Sequence, residues 1–322
     1  MVKEIIAKKI YQTILGAKKT LLITHYSPDG DAVSSLSAMM QIFEFLKKDY
    51  VAFCADKFED KYIWLPGLNK VVNHESAFNM ADFDLIITLD CGNLSRTRLS
   101  AKIKNRLAYQ TLIEIDHHEA SEKVTDLELR LNTAASTTEV IYDWLKINHL
   151  PIWPSLAEAI LVGLVTDTGN FIYSATSNQT LAIASEMLNQ GANWPKMVKT
   201  AKLTTDLGTA KLWGLALSRL KINRRYQVAF TVLTAKDFEV SGVDDDMIDG
   251  LPGFLSGLGE VKAVLVLKEA PNNIIKGSWR ACQDDIDVAK LCRYLGGGGH
   301  VKAAGFQLKG KLETIGDSWQ IV

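Results

Sequence analysis

None of the four cysteines, Cys54, Cys91, Cys282 and Cys292, stands in a CxxC spacing, so zinc-ribbon and thioredoxin chemistry are excluded. Long apolar runs are also missing. The longest, Ala159 to Val165, is far too short to span a bilayer. The first ten residues carry three lysines in an amphipathic pattern and lack the apolar core and small-residue cleavage site of a signal peptide. Neither charge sign dominates. A net charge of -1 argues against a long electrostatic track for duplex nucleic acid, but it leaves room for a local basic pocket holding a short anion. Heptads, long low-complexity tracts and solenoid repeats are absent. These absences lead to the expectation of a reduced, cytoplasmic protein that makes no membrane contact. With 322 residues and 47% apolar content, the chain can bury substantial cores, and its length favours two domains.

What is present is a series of acidic clusters, each following an apolar stretch. In order these are His25-Tyr26-Ser27-Pro28-Asp29-Gly30-Asp31, Asp90-Cys91-Gly92, Asp116-His117-His118 and Thr166-Asp167-Thr168-Gly169. Periodicity predicts a helix over 3–18 and a buried strand over 20–24 that ends at His25. Asp31 then opens a helix over 32–48, where a carboxylate suits the N-terminal dipole. Residues 50–55, 85–89 and 111–115 read as further strands, with Asp90 and Asp116 the first polar residues after the last two. Helices are expected over 135–149 and 154–165, the second delivering Asp167 at its end. In open parallel sheets ligands bind beyond the carboxyl ends of strands, so these distant segments converge on one site.

Taken singly, each cluster is an ordinary turn or cap. Together they concentrate negative potential at one sheet edge, which a multivalent cation would neutralise. Mixed imidazole and carboxylate donors without thiolate favour manganese, iron, cobalt or zinc over calcium, and several open positions suit manganese or magnesium. The ligands are too many for one ion. Two ions roughly 3.5 to 4 Å apart, bridged by a carboxylate, would use them all and suit phosphoester hydrolysis.

Beyond Gly191 the texture changes. Residues 194–220 read as helical, with Lys196, Lys199, Lys202 and Lys211 forming a solvated face. Strands are expected over 226–233, 261–267 and 274–279, then a helix over 286–294, the run Gly296-Gly297-Gly298-Gly299-His300 and a final strand near Phe306. The expected division is 1–192 for a metal-binding domain, 193–224 for a helical connector and 225–322 for a substrate-binding domain.

The series His25-Asp29-Asp31, Asp90, Asp116-His117-His118 and Asp167 resembles motifs I to IV of the DHH phosphoesterases. Gly296 to His300 with Ala303-Ala304-Gly305-Phe306 resembles the signature of their DHHA1 domain. The size and two-domain pattern are similar to the oligoribonuclease and pAp phosphatase branch of nano-RNases. The resemblance implies an α/β fold with a mainly parallel N-terminal sheet flanked by helices, a smaller α/β DHHA1 domain and an active site in the interdomain cleft. It implies cleavage of very short RNA to mononucleotides, removal of the 3′-phosphate of pAp, or both, with two divalent ions, manganese first and magnesium, cobalt or zinc as alternatives.

The roles implied by resemblance follow motif by motif. His25, Asp29 and Asp90 hold one ion; Asp31, Asp90, His117 and Asp167 hold the other, with Asp90 as the bridge. His118 contacts the scissile phosphate and Asp116 orients the histidines. Arg280, within Ser278-Trp279-Arg280, grips substrate phosphate beside His300, and the glycines 296–299, among them Gly297, Gly298 and Gly299, let backbone amides approach an anion. Arg96 matches a recurrent arginine of the family. Ala281 and Val301 depart from the family pattern, and Trp279 is bulkier than its usual residue, with strand alternation placing it in the core opposite Arg280. A homodimer is a further implication. Alternative readings are a pApA-specific phosphodiesterase of cyclic-dinucleotide turnover, an inorganic pyrophosphatase, and a nonhydrolytic RNA-binding module.

Overall fold

Residues 21–24 are buried without alternation, the signature of a strand covered on both faces. A computed structural model describes residues 2–119, 124–173, 175–200, 207–243, 248, 250–316 and 318–322. The chain forms two compact units, Met1–Thr204 and Thr205–Val322.

The first unit runs α1 (Val2–Gly16), β1 (Lys19–Thr24), α2 (Gly30–Phe45), β2 (Asp49–Phe53), β3 (Leu85–Leu89), α3 (Ser100–Lys104), β4 (Thr111–Asp116), β5 (Leu127–Arg130), α4 (Thr137–Ile147), α5 (Pro154–Asp167), α6 (Asn178–Asn189) and α7 (Trp194–Thr200). Its five strands are all parallel, in the order β2-β1-β3-β4-β5. β5 had no counterpart in the periodicity, because four residues, LELR, are too few to establish one. One face of the sheet is covered by α1, α2, α4 and α5 around Phe43, Trp144 and Ile160. The other buries Phe53, Phe83 and Ile103. Both α2 and α5 are enclosed on nearly every side, so neither shows a clean polar stripe.

In the strand order 2-1-3-4-5, the connection reverses direction between β1 and β3, which opens a crevice beyond their carboxyl ends. Register then aligns the site. Thr24 pairs with Leu89, and Leu89 with Ile115, so the next residues, His25, Asp90 and Asp116, emerge side by side. α2 begins at Gly30, two residues earlier than the sequence pattern predicts, because the Asp29 carboxylate caps it by accepting from the Ala32 amide.

The second unit comprises α8 (Leu207–Ser218), β6 (Lys221–Asn223), β7 (Val228–Leu233), α9 (Ala235–Ser241), α10 (Gly250–Leu255), β8 (Ala263–Ala270), β9 (Ile274–Ala281), α11 (Val288–Tyr294), β10 (Gly298–His300), β11 (Ala303–Lys309), β12 (Leu312–Ile315) and β13 (Ser318–Ile321). Six strands form a mixed sheet in the order β10-β11-β9-β8-β7-β6, and β12 pairs with β13. The expected helix over 194–220 is two helices, α7 and α8; Lys202 lies outside the described residues. α8 buries Leu212 and Ala216 among Ala229, Leu233 and Val264 of this unit, so it belongs to the second core. Phe306 does not lie in the final strand, since β12 and β13 follow it.

Candidate metal centre

Asp90 stands one residue beyond β3 with φ 58°, a left-handed conformation that aspartate tolerates better than most side chains. Its two carboxylate oxygens serve two sides of the crevice. Oδ2 lies 3.8 Å from His25 Nε2, whereas Oδ1 lies 3.6 Å from His117 Nε2 and 3.5 Å from His118 Nδ1. His25 Nε2 is also 3.8 Å from Asp29 Oδ2, and His117 Nε2 is 3.2 Å from Asp167 Oδ2. Three overlapping donor groups result: His25, Asp29 and Asp90; Asp90, His117 and His118; Asp31, His117 and Asp167. Within each, one donor atom per residue falls within 4.8 Å of the others.

The histidines are oriented from behind. His25 Nδ1 is 2.7 Å from the Tyr26 carbonyl oxygen, which can only accept, so this nitrogen carries the hydrogen and Nε2 presents a lone pair. His117 is held likewise, with Nδ1 at 3.3 Å from the Ala134 carbonyl. His118 Nδ1 donates to Asp116 Oδ1 at 2.8 Å, while the His118 and Gly92 amides also bind the Asp116 carboxylate. Burial pushes the Asp116 carboxyl up, but these donors outweigh it and hold it well below the usual carboxylate range. Asp116 is fully buried and accepts from both the ring and the amide of the histidine beside it.

The remaining acids are charged at a cost. Burial, with Asp29 close by, pushes Asp31 up to about 7. Burial raises Asp90 and Asp167 too, reinforced by Asp31 and Asp29, while burial lowers His25. Proton uptake or a cation relieves this repulsion, and neutral imidazole lone pairs among carboxylates suit a divalent ion. The residues present fit such an ion.

Three features of the centre were invisible to the motif reading. Thr137 and Thr138, at the start of α4, donate their amides to Asp31 at 2.6 and 3.1 Å, and the Thr137 hydroxyl donates to Asp90 Oδ1 at 2.8 Å. The run Ser136-Thr137-Thr138 announces a helix start, but nothing local shows what its donors face. Gly163 lets α5 approach this corner; a Cβ there would stand 2.2 Å from Thr138 Oγ1 and 2.4 Å from Asp31 Oδ1. Arg130, on β5, donates to the His118 carbonyl at 2.6 Å.

Arg96 lies in the 3-10 turn Leu94–Thr97, with Nη2 at 3.0 and 3.2 Å from the two ring nitrogens of His25. In the second unit, Arg280 pairs across β9 and β11 with Ala303, which pairs across β10 with His300. Cross-strand partners face the same way, so Arg280 and His300 share a sheet face at roughly 9 to 10 Å. Trp279, on the opposite face, joins the apolar cluster of Val288, Ala289 and Cys292. The glycine run needs correction. The amides of Gly296 and Gly297 donate to the carbonyls of Arg293 and Cys292, so neither is available to an anion. Gly297 and Gly299 instead permit close packing on β11, where a Cβ would stand 2.1 Å from the Gly305 oxygen and 2.6 Å from the Ala303 oxygen. Gly296 and Gly298 are the members whose Cβ positions meet open space.

Residues 19–164 match the model of the DHH family N-terminal domain, and residues 226–317 match the DHHA1 domain. The chain belongs to the DHH/DHHA1 family. Membership makes it a hydrolytic phosphoesterase. Among relatives of this DHH/DHHA1 chain is the bifunctional oligoribonuclease and PAP phosphatase NrnA of Thermus thermophilus, 27% identical over 90% of this chain and 84% of the relative. The protein of that name from Bacillus subtilis is 26% identical, covering 92% of this chain and 89% of its own. A solved exopolyphosphatase-related protein from Bacteroides fragilis shares the fold, with a TM-score of 0.85 and 24% identity across 95% of this chain and 92% of that one. Among the described residues, no helix is long and apolar enough to cross a membrane.

Proposed function

We propose that the protein hydrolyses very short RNA oligonucleotides to mononucleotides and removes the 3′-phosphate of pAp, using two divalent ions with manganese preferred. The carrying observation is the division of the Asp90 carboxylate, one oxygen toward His25 and the other toward His117 and His118. That division is what a carboxylate bridging two ions requires. His25, Asp29 and Asp90 would hold one ion, and Asp31, Asp90, His117 and Asp167 the other. Bound there, divalent ions supply Lewis acidity toward a phosphoryl oxygen and activation of water.

The chain's own groups do the rest. Asp116 fixes His118 with Nδ1 as donor, which leaves its Nε2 to meet a phosphate oxygen or the departing oxygen. Thr137 and Thr138 hold Asp31 and Asp90 in place, so the acidic ligands need no reorganisation when substrate enters. Arg280 and His300, on one face of the second sheet, form a phosphate grip, beside Gly298, whose Cβ position meets open space. The names of the relatives over most of the chain favour this substrate class over pyrophosphate and over binding without turnover.

The test is one product-resolved assay with manganese against pAp, pApA, RNAs of two to five nucleotides, cyclic dinucleotides and pyrophosphate. Release of AMP from pAp and of mononucleotides from short RNA is expected. Turnover confined to pApA or to pyrophosphate, or binding with no product, would replace this reading with the corresponding alternative.

A further inference from the structure

We propose that Arg98 and Tyr26 form a stacking platform for a nucleobase at the rim of the acidic centre, making Arg98 a specificity residue for nucleotide substrates. The inference rests on the nucleotide reading above and adds the part of the substrate that is neither phosphate nor sugar. Arg98 closes the 3-10 turn Leu94–Thr97 with φ 62°, in the left-handed region where a side chain other than glycine is strained. Two other residues of this centre, Ser27 and Asp90, also have positive φ. The conformation at 98 has a visible consequence: the guanidinium carbon stands 4.4 Å from the centroid of the Tyr26 ring, within stacking range.

The pair is tied to the centre at both ends. Tyr26 directly follows His25, and its amide donates to the Arg96 carbonyl at 2.8 Å, two residues before Arg98. The same turn therefore sets Arg96 against His25 and Arg98 against Tyr26. Arg98 remains exposed although one face is covered, so its outer face is open. No carboxylate among the described residues pairs with it, in contrast to Arg106 with Asp126, Arg130 with Glu114 and Arg219 with Asp237. A planar cation already stacked on one side is preorganised to take a second aromatic plane on the other, and nucleobases stack on guanidinium planes in this way.

The substitution Arg98→Gly separates recognition from structure, because glycine relieves the positive φ. Equilibrium binding of AMP, adenosine and ribose 5-phosphate is measured by calorimetry for the natural protein, Arg98→Gly, Tyr26→Leu and Tyr26→Phe, with thermal melting of each. Arg98→Gly is expected to melt no lower than the natural protein while weakening AMP and adenosine about tenfold, as the loss of one base stack would. Ribose 5-phosphate should weaken much less; Tyr26→Leu should follow Arg98→Gly, and Tyr26→Phe should not. Equal weakening of AMP and ribose 5-phosphate would make Arg98 a phosphate contact and overturn the platform, as would unchanged AMP binding. Absence of pAp and short-RNA turnover alongside base-selective loss would remove the proposed activity and leave the platform standing. Normal turnover with no base selectivity would do the reverse.

Discussion

Arg130 donates to the carbonyl oxygen of His118 at 2.6 Å, from a side chain only 8% exposed. The same guanidinium pairs with Glu114 at 2.9 Å and with Glu128, and lies 3.7 Å from Asp116. β4 and β5 place these groups together, since Glu114 pairs with Glu128 and Asp116 with Arg130 in register. A buried arginine thus stands behind the histidine loop, neutralising the acids that border the proposed metal ligands.

Arg130→Leu is expected to destabilise the protein by about 3 to 5 kcal/mol, because it strands buried carboxylates without their cation. Turnover should fall as the His118 backbone loses its donor, and Arg130→Lys should recover part of the stability but less of the turnover, since lysine cannot serve several acceptors from one plane. Urea denaturation together with steady-state kinetics checks both. A loss under about 1 kcal/mol would show that the cluster is not stabilising in the folded state.

Asp90→Ala should abolish metal-dependent turnover, whereas Arg96→Ala should leave measurable activity with altered KM. Asp90 belongs to two of the donor groups and faces both sides of the crevice, while Arg96 only rests against the His25 ring. Ion stoichiometry by calorimetry is the decisive companion measurement. Retention of two manganese ions and near-normal turnover in the Asp90 variant would remove the bridging role.

Acidity should stabilise the metal-free protein, and metal should reverse that trend. Asp31 rises from an ordinary 3.8 to about 7, and Asp90 and Asp167 rise as well, so the folded state binds more protons than the unfolded chain above pH 3.8. Stability from these groups is fully present below that pH and is lost as pH rises through their folded values, up to about 7 for Asp31. His25, lowered by burial, contributes in the opposite sense, favouring pH above 6.5, but it is one group against three. Chelator-treated protein is therefore expected to melt about 5 °C lower at pH 8 than at pH 5. Manganese should raise the melting temperature more at pH 8, where the carboxylates are charged. A pH-independent metal effect would count against these acids as the ligands.

Arg280→Ala should impair pAp and dinucleotide cleavage about 30-fold or more, while a small artificial phosphodiester lacking a second phosphate loses much less. In the proposed grip the guanidinium would bind phosphate through paired donors, an interaction worth about 2 to 5 kcal/mol when desolvated and available only to a substrate that reaches it. Kinetics on both substrates, with metal content checked, separates the cases. Equal losses would assign Arg280 to the chemical centre generally.

Much of the centre was legible because strand ends and first polar residues are local features. His25, Asp90 and Asp116 each terminate an apolar run, and any parallel sheet carries such residues to one edge. Asp167 closes α5 as its apolar pattern ends. The glycine run was legible as a motif, but its use was not: whether an amide faces an anion or the Cys292 carbonyl depends on how the chain turns back between α11 and β10.

By itself the sequence determined which residue types stand at the ends of which strands, and hence that acids and imidazoles would gather beyond a parallel sheet. Only tertiary structure decided their register, their partners and their protonation. Asp31 meets Thr137 across more than a hundred residues, Gly163 makes room for both, and Arg130 reaches His118 from a strand too short to have periodicity. Periodicity encodes which side of an element is apolar, but hydrogen-bond partners depend on where two elements meet. Arg98 shows the limit most plainly, since nothing in its neighbours along the chain reveals the left-handed turn that lays its guanidinium on Tyr26.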